Sequence, residues 1–367
     1  MIMTRILMVV HEMNRGGIEN FIMNLYRTVD RNKIQFDFVV HTQRKCAFDD
    51  EINELGGVIY HCPDYRVINH FQYIAWWNKF FSEHKEYKIV HSHLDSSANI
   101  HLRIAKKHNC IAIAHSHNSN DGVGIKGIVK SVLKFNFNSC CDYKFACSGK
   151  AAKWLFGKNT TDVKIINNGI NSGIYTYNSD LRKEVFDEFA ISDKLVIGSV
   201  ARFNHQKNHQ FIIDIFYEYK KIVPNAVLML VGDGELKNDI LEKTHNLSID
   251  DSVIFTGVRS DIPKLLNAFD LFIMPSFYEG LPVSVIEAQA SGLKCLLSDT
   301  VTKEVDITGN VEFMSLEKSP KEWAEKIVSM LPYERKNTQQ KIIDAGYDIK
   351  STAKWLTDFY LKLAENN

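Results

Sequence analysis

The chain reads as an α/β protein made of two Rossmann-like parallel-sheet domains in tandem, and three observations carry that reading. Short apolar, β-branched runs alternate with longer segments of helical period, as βαβ units do when both faces of a parallel sheet are covered. The alternation comes in two series, separated by a stretch rich in Gly, Asn, Ser and Tyr. At 367 residues the chain also exceeds what one ordinary core encloses.

The first series is ILMVV (6–10), FDFVV (36–40), KIVHSH (88–93), CIAIAHSH (110–117), YKFACS (143–148) and VKIINN (163–168). The second is LVIGSVAR (195–202), AVLMLVG (226–232), SVIFTG (252–257), LFIMP (271–275) and KCLLSD (294–299). Between them, Asn167 to Ser179 has little helical period and reads as an interdomain linker. After Tyr347 the spacing of Ala353, Leu356, Phe359, Tyr360 and Leu363 predicts a terminal helix. The expected division is 1–170, 171–346 and 347–367.

Lys plus Arg and Asp plus Glu are 44 each, so no overall field recruits nucleic acid or anionic lipid, and any basic site must be local. The seven cysteines are scattered, odd in number and without a CxxC pair, which predicts a reduced, cytosolic chain with no disulfide framework or zinc site. The start, MIMTRILMVV, reads as a first buried strand, its apolar run being short for a signal peptide. No run approaches the ~18 apolar residues of a membrane span, so membrane contact is expected to be peripheral.

The stretch FYEGLPVSVIEAQASG (277–292) carries the most chemistry. It follows an apolar strand, turns, and enters a helix that holds Pro282 early, where proline costs no hydrogen bond. Glu279 falls just ahead of the helix and Glu287 about five residues, or ~7.5 Å, along it. The free amides around Gly280, Leu281 and Val283 lie between them and make a seat for an anion. Two carboxylates flanking a phosphate seat suit a ligand with hydroxyls at both ends and a diphosphate between, as in a nucleotide sugar. A capping Glu279 and an incidental polar Glu287 is the plainer alternative.

Other motifs stand at predicted strand ends, where open α/β sheets place ligands. Gly16 and Gly17 in HEMNRGGIENF open a helix and let backbone approach a ligand, without the GxGxxG of a dinucleotide fold. HSH (91–93) and HSHN (115–118) end two strands. Glu12, His91 and His93 are given structural roles, and a metal site made of the four histidines lacks a carboxylate or Cys at ligand spacing. Lys126, Lys130 and Lys134 recur every four residues in IKGIVKSVLKFNF (125–137), either a membrane-surface helix or a docked helix with a solvated lysine face. Arg202 and Lys207 come off one βα loop. In TGVRSDIPKLL (256–266) Ser260 is placed to cap a helix with Pro263 in its first turn.

EGLPVSVIEAQASGL resembles the Glu-x7-Glu signature of family-4 retaining glycosyltransferases of the GT-B fold, and the other motifs follow in that family's order over nearly the whole chain. The resemblance implies two Rossmann-like domains facing an interdomain cleft, an acceptor-binding first domain, a nucleotide-sugar-binding second one, and a last helix that returns to the first. It implies that Gly16 and Gly17 lie over donor and acceptor, that His117 faces the donor sugar (His115 being the other choice of strand phase), and that Arg202 and Lys207 neutralise a departing diphosphate. Val258 would pair with the base, Glu287 with the ribose, and Glu279 with the amides of Gly280 and Leu281 would meet sugar and phosphate. Ala201 and Asn208 depart from glycines often found in the family. The chemistry implied is a metal-independent transfer with retention, in keeping with the lack of an Asp-x-Asp motif. The donor expected is a UDP-sugar, and the acceptor a lipid-linked saccharide of a surface polysaccharide. A nucleotide-sugar epimerase of the same plan and a non-catalytic sugar-nucleotide-binding subunit are the alternatives.

Overall fold

A computed structural model of the protein describes residues 3–117 and 125–365, without the side chains of 125–129. The chain forms two compact units, one of Met1–Gly169 with Asp348–Asn367 and one of Ile170–Tyr347.

The sheet of the first unit has seven parallel strands: β1 (Thr4–Val10), β2 (Ile34–Val40), β3 (Ile59–His61), β4 (Ile89–Ser92), β5 (Ile111–Ser116), β6 (Tyr143–Ala146) and β7 (Val163–Ile165). Their order is β3-β2-β1-β4-β5-β6-β7, so chain direction across the sheet reverses between β1 and β4. Because side chains alternate along a strand, each face is apolar and needs its own layer of helices. Ile6, Met8 and Val10 turn to a layer formed by the helices Gly17–Thr28 and Ile349–Glu365, whereas Leu7 and Val9 turn to the helices His70–Glu83 and Ala98–Lys107. The last helix thus belongs to the first unit's core, with Ile349, Ala353, Leu356 and Tyr360 inserted at helical spacing.

The second unit repeats the plan with six parallel strands: β8 (Leu195–Val200), β9 (Ala226–Val231), β10 (Val253–Gly257), β11 (Leu271–Met274), β12 (Cys295–Ser298) and β13 (Val311–Met314). The order β10-β9-β8-β11-β12-β13 reverses between β8 and β11, which pair through Leu271↔Ile197 and Phe272↔Gly198. Gly198 is required there, since a Cβ at that position would stand 2.0 Å from the buried ring of Phe269.

Two strands, β3 and β13, escape the sequence pattern. IYH and VEFM are short edge segments, half-exposed, with too few residues to show a period. The segment 170–179 is not a free linker: Ser172–Tyr175 forms a 3₁₀ turn against the second unit, and the Asn178 amide donates to Asn267 Oδ1 at 2.6 Å. Ser260 does not cap the next helix; Asp261 holds the N-cap, and Arg259 pairs with its carboxylate at 2.8 Å. Leu356 is fully buried, so Leu356→Ala should destabilise the first unit by about 2–5 kcal/mol through lost burial and the cavity left behind. A denaturant midpoint equal to that of the parent protein would contradict a core role for the last helix.

Candidate functional site

In the second unit, two loops leave the carboxyl ends of the paired strands β8 and β11 at the reversal point and are tied together. Lys207 Nζ meets Glu279 Oε1 at 2.6 Å, with side chains only 18% and 6% exposed. The Gln206 amide donates to Glu279 Oε2 at 3.2 Å and to the Tyr278 carbonyl at 2.9 Å, while the Phe277 amide donates back to the Gln206 carbonyl at 2.9 Å. The His205 ring stacks on Phe277 with centroids 4.7 Å apart, and the Asn208 side chain donates to the Pro275 carbonyl. Lys207 does not begin the next helix. It ends a 3₁₀ turn, and Asn208 (φ 55°, ψ 45°) makes the left-handed step into the helix His209–Ile222. Asparagine is one of the few residues other than glycine that take this conformation readily, which explains how the loop keeps its shape without a glycine here.

The helix Val283–Ala290 follows, with Pro282 at its N-cap and Gly292 (φ +74°) just past its end. Among the described residues, the amides of Gly280, Leu281, Val283 and Ser284 donate to no protein acceptor. Gly280 is exposed, and nothing lies within 4 Å of where its Cβ would be. Unbonded amides at a helix N-terminus beside a lysine are a site for a negatively charged group.

Glu287 lies about one turn further along that helix. Its Oε1 accepts a 2.6 Å hydrogen bond from the Tyr175 hydroxyl, and loss of hydration lifts its carboxyl to about 7, the tyrosine bond pulling the other way. Arg202 stands apart from this cluster. Its exposed guanidinium is 3.2 Å from Glu235 on the VGDGEL turn, a solvated pair that holds the arginine only weakly. Val258 is 58% exposed in the loop after β10, next to Gly257 in the left-handed region.

The remaining residues singled out in the sequence belong to the first unit. Gly16 is the N-cap of the helix Gly17–Thr28, and the Glu19 side chain folds back over it so closely that a Cβ would meet its carboxylate at 2.2 Å. Gly17 is exposed, with open space at its Cβ position. His91, His93, His115 and His117 sit on one face of adjacent strands as a packed group, with ring centroids 4.1–5.4 Å apart. His91 Nδ1 meets the Tyr360 hydroxyl at 2.6 Å, and His93 Nδ1 meets His117 Nε2 at 2.9 Å. His115 is fully buried inside the group, whereas His117 is half-exposed at the carboxyl edge of the sheet. Nitrogens of His91, His93 and His115 come within 4.8 Å of one another. However, His91 stacks face to face on both His93 and His115, and lone pairs lying in nearly parallel ring planes do not converge on one ion.

Residues 15–173 match the family model described as Glycosyltransferase Family 4, and residues 182–348 match Glycosyl transferases group 1. EpsF of Bacillus subtilis (strain 168), named as a glycosyltransferase, is 32% identical over 97% of this chain and 96% of its own. The chain belongs to the family-4 glycosyltransferases. The UDP-Gal:alpha-D-GlcNAc-diphosphoundecaprenol alpha-1,3-galactosyltransferase of Escherichia coli is 23% identical over 69% of this chain and 76% of that one. Among solved structures, Anabaena Alr3699/HepE in complex with UDP superposes with a TM-score of 0.74 at 17% identity, covering 99% of both chains, which shows the shared GT-B fold.

Sequence reasoning about this glycosyltransferase did not find Gln206, which occupies the second oxygen of Glu279, or Tyr175, which lies 112 residues from its partner. An amide beside a lysine and a tyrosine in an apparent linker carry no periodicity that marks them. The basic helix spans Ile125–Lys134, and from residue 130 onward it is described in full. Lys130 and Lys134 lie over the Trp154 ring at 5.7 and 4.7 Å, while Val132 and Phe135 are 68% and 82% exposed. The helix is docked, since Asn99 donates to the carbonyls of Leu133 and Phe135, but its lysines at 130 and 134 cover a tryptophan ring instead of forming a solvated face; the side chain of Lys126 lies outside the described residues. Among the described residues, no helix is long and apolar enough to cross a membrane.

Burial holds the imidazoles of His91, His93 and His115 far below their ordinary 6.5, His91 at about 3. Above about pH 6.5 folded and unfolded chains are both neutral at these rings. Below it the unfolded chain takes up protons the fold cannot accept, so stability should fall as the pH drops. At pH 5 the loss is about 2 kcal/mol for His91 alone, and His93 and His115 add to it in the same direction. Urea midpoints recorded between pH 7.5 and 5 check this, and a flat profile would contradict it.

Proposed function

We propose that this glycosyltransferase moves a sugar, with retention of configuration, from a UDP-linked donor to a lipid-linked saccharide during synthesis of a surface polysaccharide. The observation that carries the reading is the pairing of Lys207 with Glu279 directly beside four unbonded amides. A cation and free N–H groups suit the diphosphate of a sugar nucleotide, and a carboxylate next to them suits the sugar's hydroxyls. A UDP-bound fold relative and a relative whose name specifies UDP-Gal and a diphosphoundecaprenol-linked acceptor support the donor and acceptor classes.

In this reading the bond from the anomeric carbon to the β-phosphate oxygen breaks, and negative charge collects on the departing UDP. Lys207, the amides of Gly280 and Leu281, and Arg202 once released from its exposed pair would stabilise that charge, which needs no divalent metal. The acceptor hydroxyl attacks from the side the leaving group vacates, and its proton passes to a phosphate oxygen. His117 orients the sugar, and Gly17 leaves room for a ligand, whereas the space over Gly16 is taken by the Glu19 side chain. Val258 contacts the base through its backbone, and Glu287 accepts the ribose hydroxyls. Contact with a lipid-borne acceptor fits peripheral attachment at the inner face of the membrane through 125–137, where Val132 and Phe135 are exposed.

Offering UDP-, GDP- and ADP-sugars to the purified protein should raise its melting temperature with the UDP series, by mass action. A response to GDP- or ADP-sugars alone would overturn the assignment of the base. Lys207→Met should lower kcat by about 10²–10³-fold, the cost of losing one preorganised donor to developing charge. Unchanged turnover in that variant, with its melting temperature retained, would remove Lys207 from the leaving-group role.

A further inference from the structure

We propose that Tyr175 is a positioning residue of the nucleotide site, holding Glu287 so that one carboxylate oxygen is presented to the ribose diol. The inference deepens the reading above and rests on its assignment of Glu287. Tyr175 is carried by the 3₁₀ turn Ser172–Tyr175, which packs against the helices Ile262–Ala268, Val283–Ala290 and Gln339–Asp344. Its ring is buried in the second unit's core among Ile170, Leu265 and Val285, which fixes where the hydroxyl can reach. That hydroxyl donates to Glu287 Oε1 at 2.6 Å. The other oxygen, Oε2, has no protein donor among the described residues. One oxygen is therefore committed to the protein and one is left to accept from a ligand.

The partnership also has an electrostatic consequence. Burial favours the neutral acid of Glu287, and Tyr175 is the group that opposes it by donating to the carboxylate. The neighbouring elements offer no substitute. Lys341 of the packed helix Gln339–Asp344 is turned to the Thr308 carbonyl, Asp344 accepts from Gln340, and the strand Cys295–Ser298 brings no charged side chain. An ionised Glu287 accepts hydrogen bonds from two ribose hydroxyls, whereas a protonated one wastes a lone pair. The tyrosine hydroxyl should thus keep the site ready for ribose near neutral pH, and its loss should move readiness to more alkaline conditions.

The test uses the full-length protein with Tyr175→Phe, which keeps the ring and its packing, and Glu287→Gln as a reference. Calorimetric titration with UDP, with GDP and ADP in parallel, is run at pH 6, 7 and 8.5. For Tyr175→Phe, affinity should fall about fivefold at pH 7 and about tenfold at pH 6, the pH at which binding is half lost should rise by about one unit, and affinity at pH 8.5 should approach that of the parent. A parent-like pH profile overturns the positioning role, as does a loss of affinity that is equal at all three pH values. If Glu287→Gln binds as the parent does, the assignment of Glu287 to the ribose is wrong, and the inference fails with it. If the parent binds none of the three nucleotides, the functional reading itself is overturned.

Discussion

Everything in the second unit follows from one topological constraint, the reversal of strand order between β8 and β11. Parallel strands need crossover helices, and crossovers of one hand place the helices of the two half-sheets on opposite faces. The helix His209–Ile222 accordingly packs with Leu271 and Ile273 on one face, and the helix Val283–Ala290 with Phe272 and Met274 on the other. The loops that lead into those helices must then diverge at the carboxyl edge. A crevice opens between them without any residue having to make it. What specific residues add is closure of that crevice at its base. Lys207, Gln206 and His205 on one loop bind Glu279, Tyr278 and Phe277 on the other, so two segments about seventy residues apart behave as one rigid wall.

The first unit obeys the same constraint with different contents. Its reversal lies between β1 and β4, the strands that end next to Gly16 and His93. Here the edge is filled by imidazoles instead of an ion pair. Residues two apart on neighbouring parallel strands face the same side, so HSH and HSH offset by two residues (His91 beside Ile113) produce a four-ring group as a matter of geometry. Neutral rings can share space that charged ones cannot, and burial keeps them neutral. The price is several ring nitrogens without a partner among the described residues, tolerable in a well-packed group against Phe21, Phe145 and Tyr360.

Periodicity made eleven of the strands legible, because a buried parallel strand must be apolar on both faces and such runs stand out in a chain with 24% charged residues. The same logic fails for IYH and VEFM, which lie at sheet edges and are held by neighbours more than by their own composition. Site residues split along a similar line. Glu279, Glu287, Lys207 and Arg202 could be named from spacing because each stands at a fixed offset from a strand end. Their partners could not. Gln206 acts through a side-chain amide whose orientation only the turn decides, and Tyr175 reaches Glu287 because the segment after residue 170 folds back onto the second unit. Arg202 shows the reverse limit: its place in the sequence was plain, yet the VGDGEL turn, packed against Phe203 at Gly234, offers it Glu235 instead of Glu279.

That difference between the two cations bears on how an anion would be received. Lys207 is largely shielded and its charge is already balanced by Glu279, so a diphosphate entering beside it meets a neutral pair and four amide dipoles, not a bare cation. Recruiting the amides breaks no internal bond, only their hydrogen bonds to water. Sharing Lys207 between Glu279 and a phosphate oxygen raises the electron density facing the lysine, and the ammonium has three donors with which to meet it. Glu279 keeps a second, neutral partner in Gln206, which donates to its other oxygen whatever charge stands beside the lysine. Arg202, on a solvated pair worth little, is the cation that can move without a structural penalty. In the proposed reading, a shielded, neutralised lysine and an arginine held only by a solvated pair would divide the work: the first would define where the anion sits, and the second would arrive as charge builds on it.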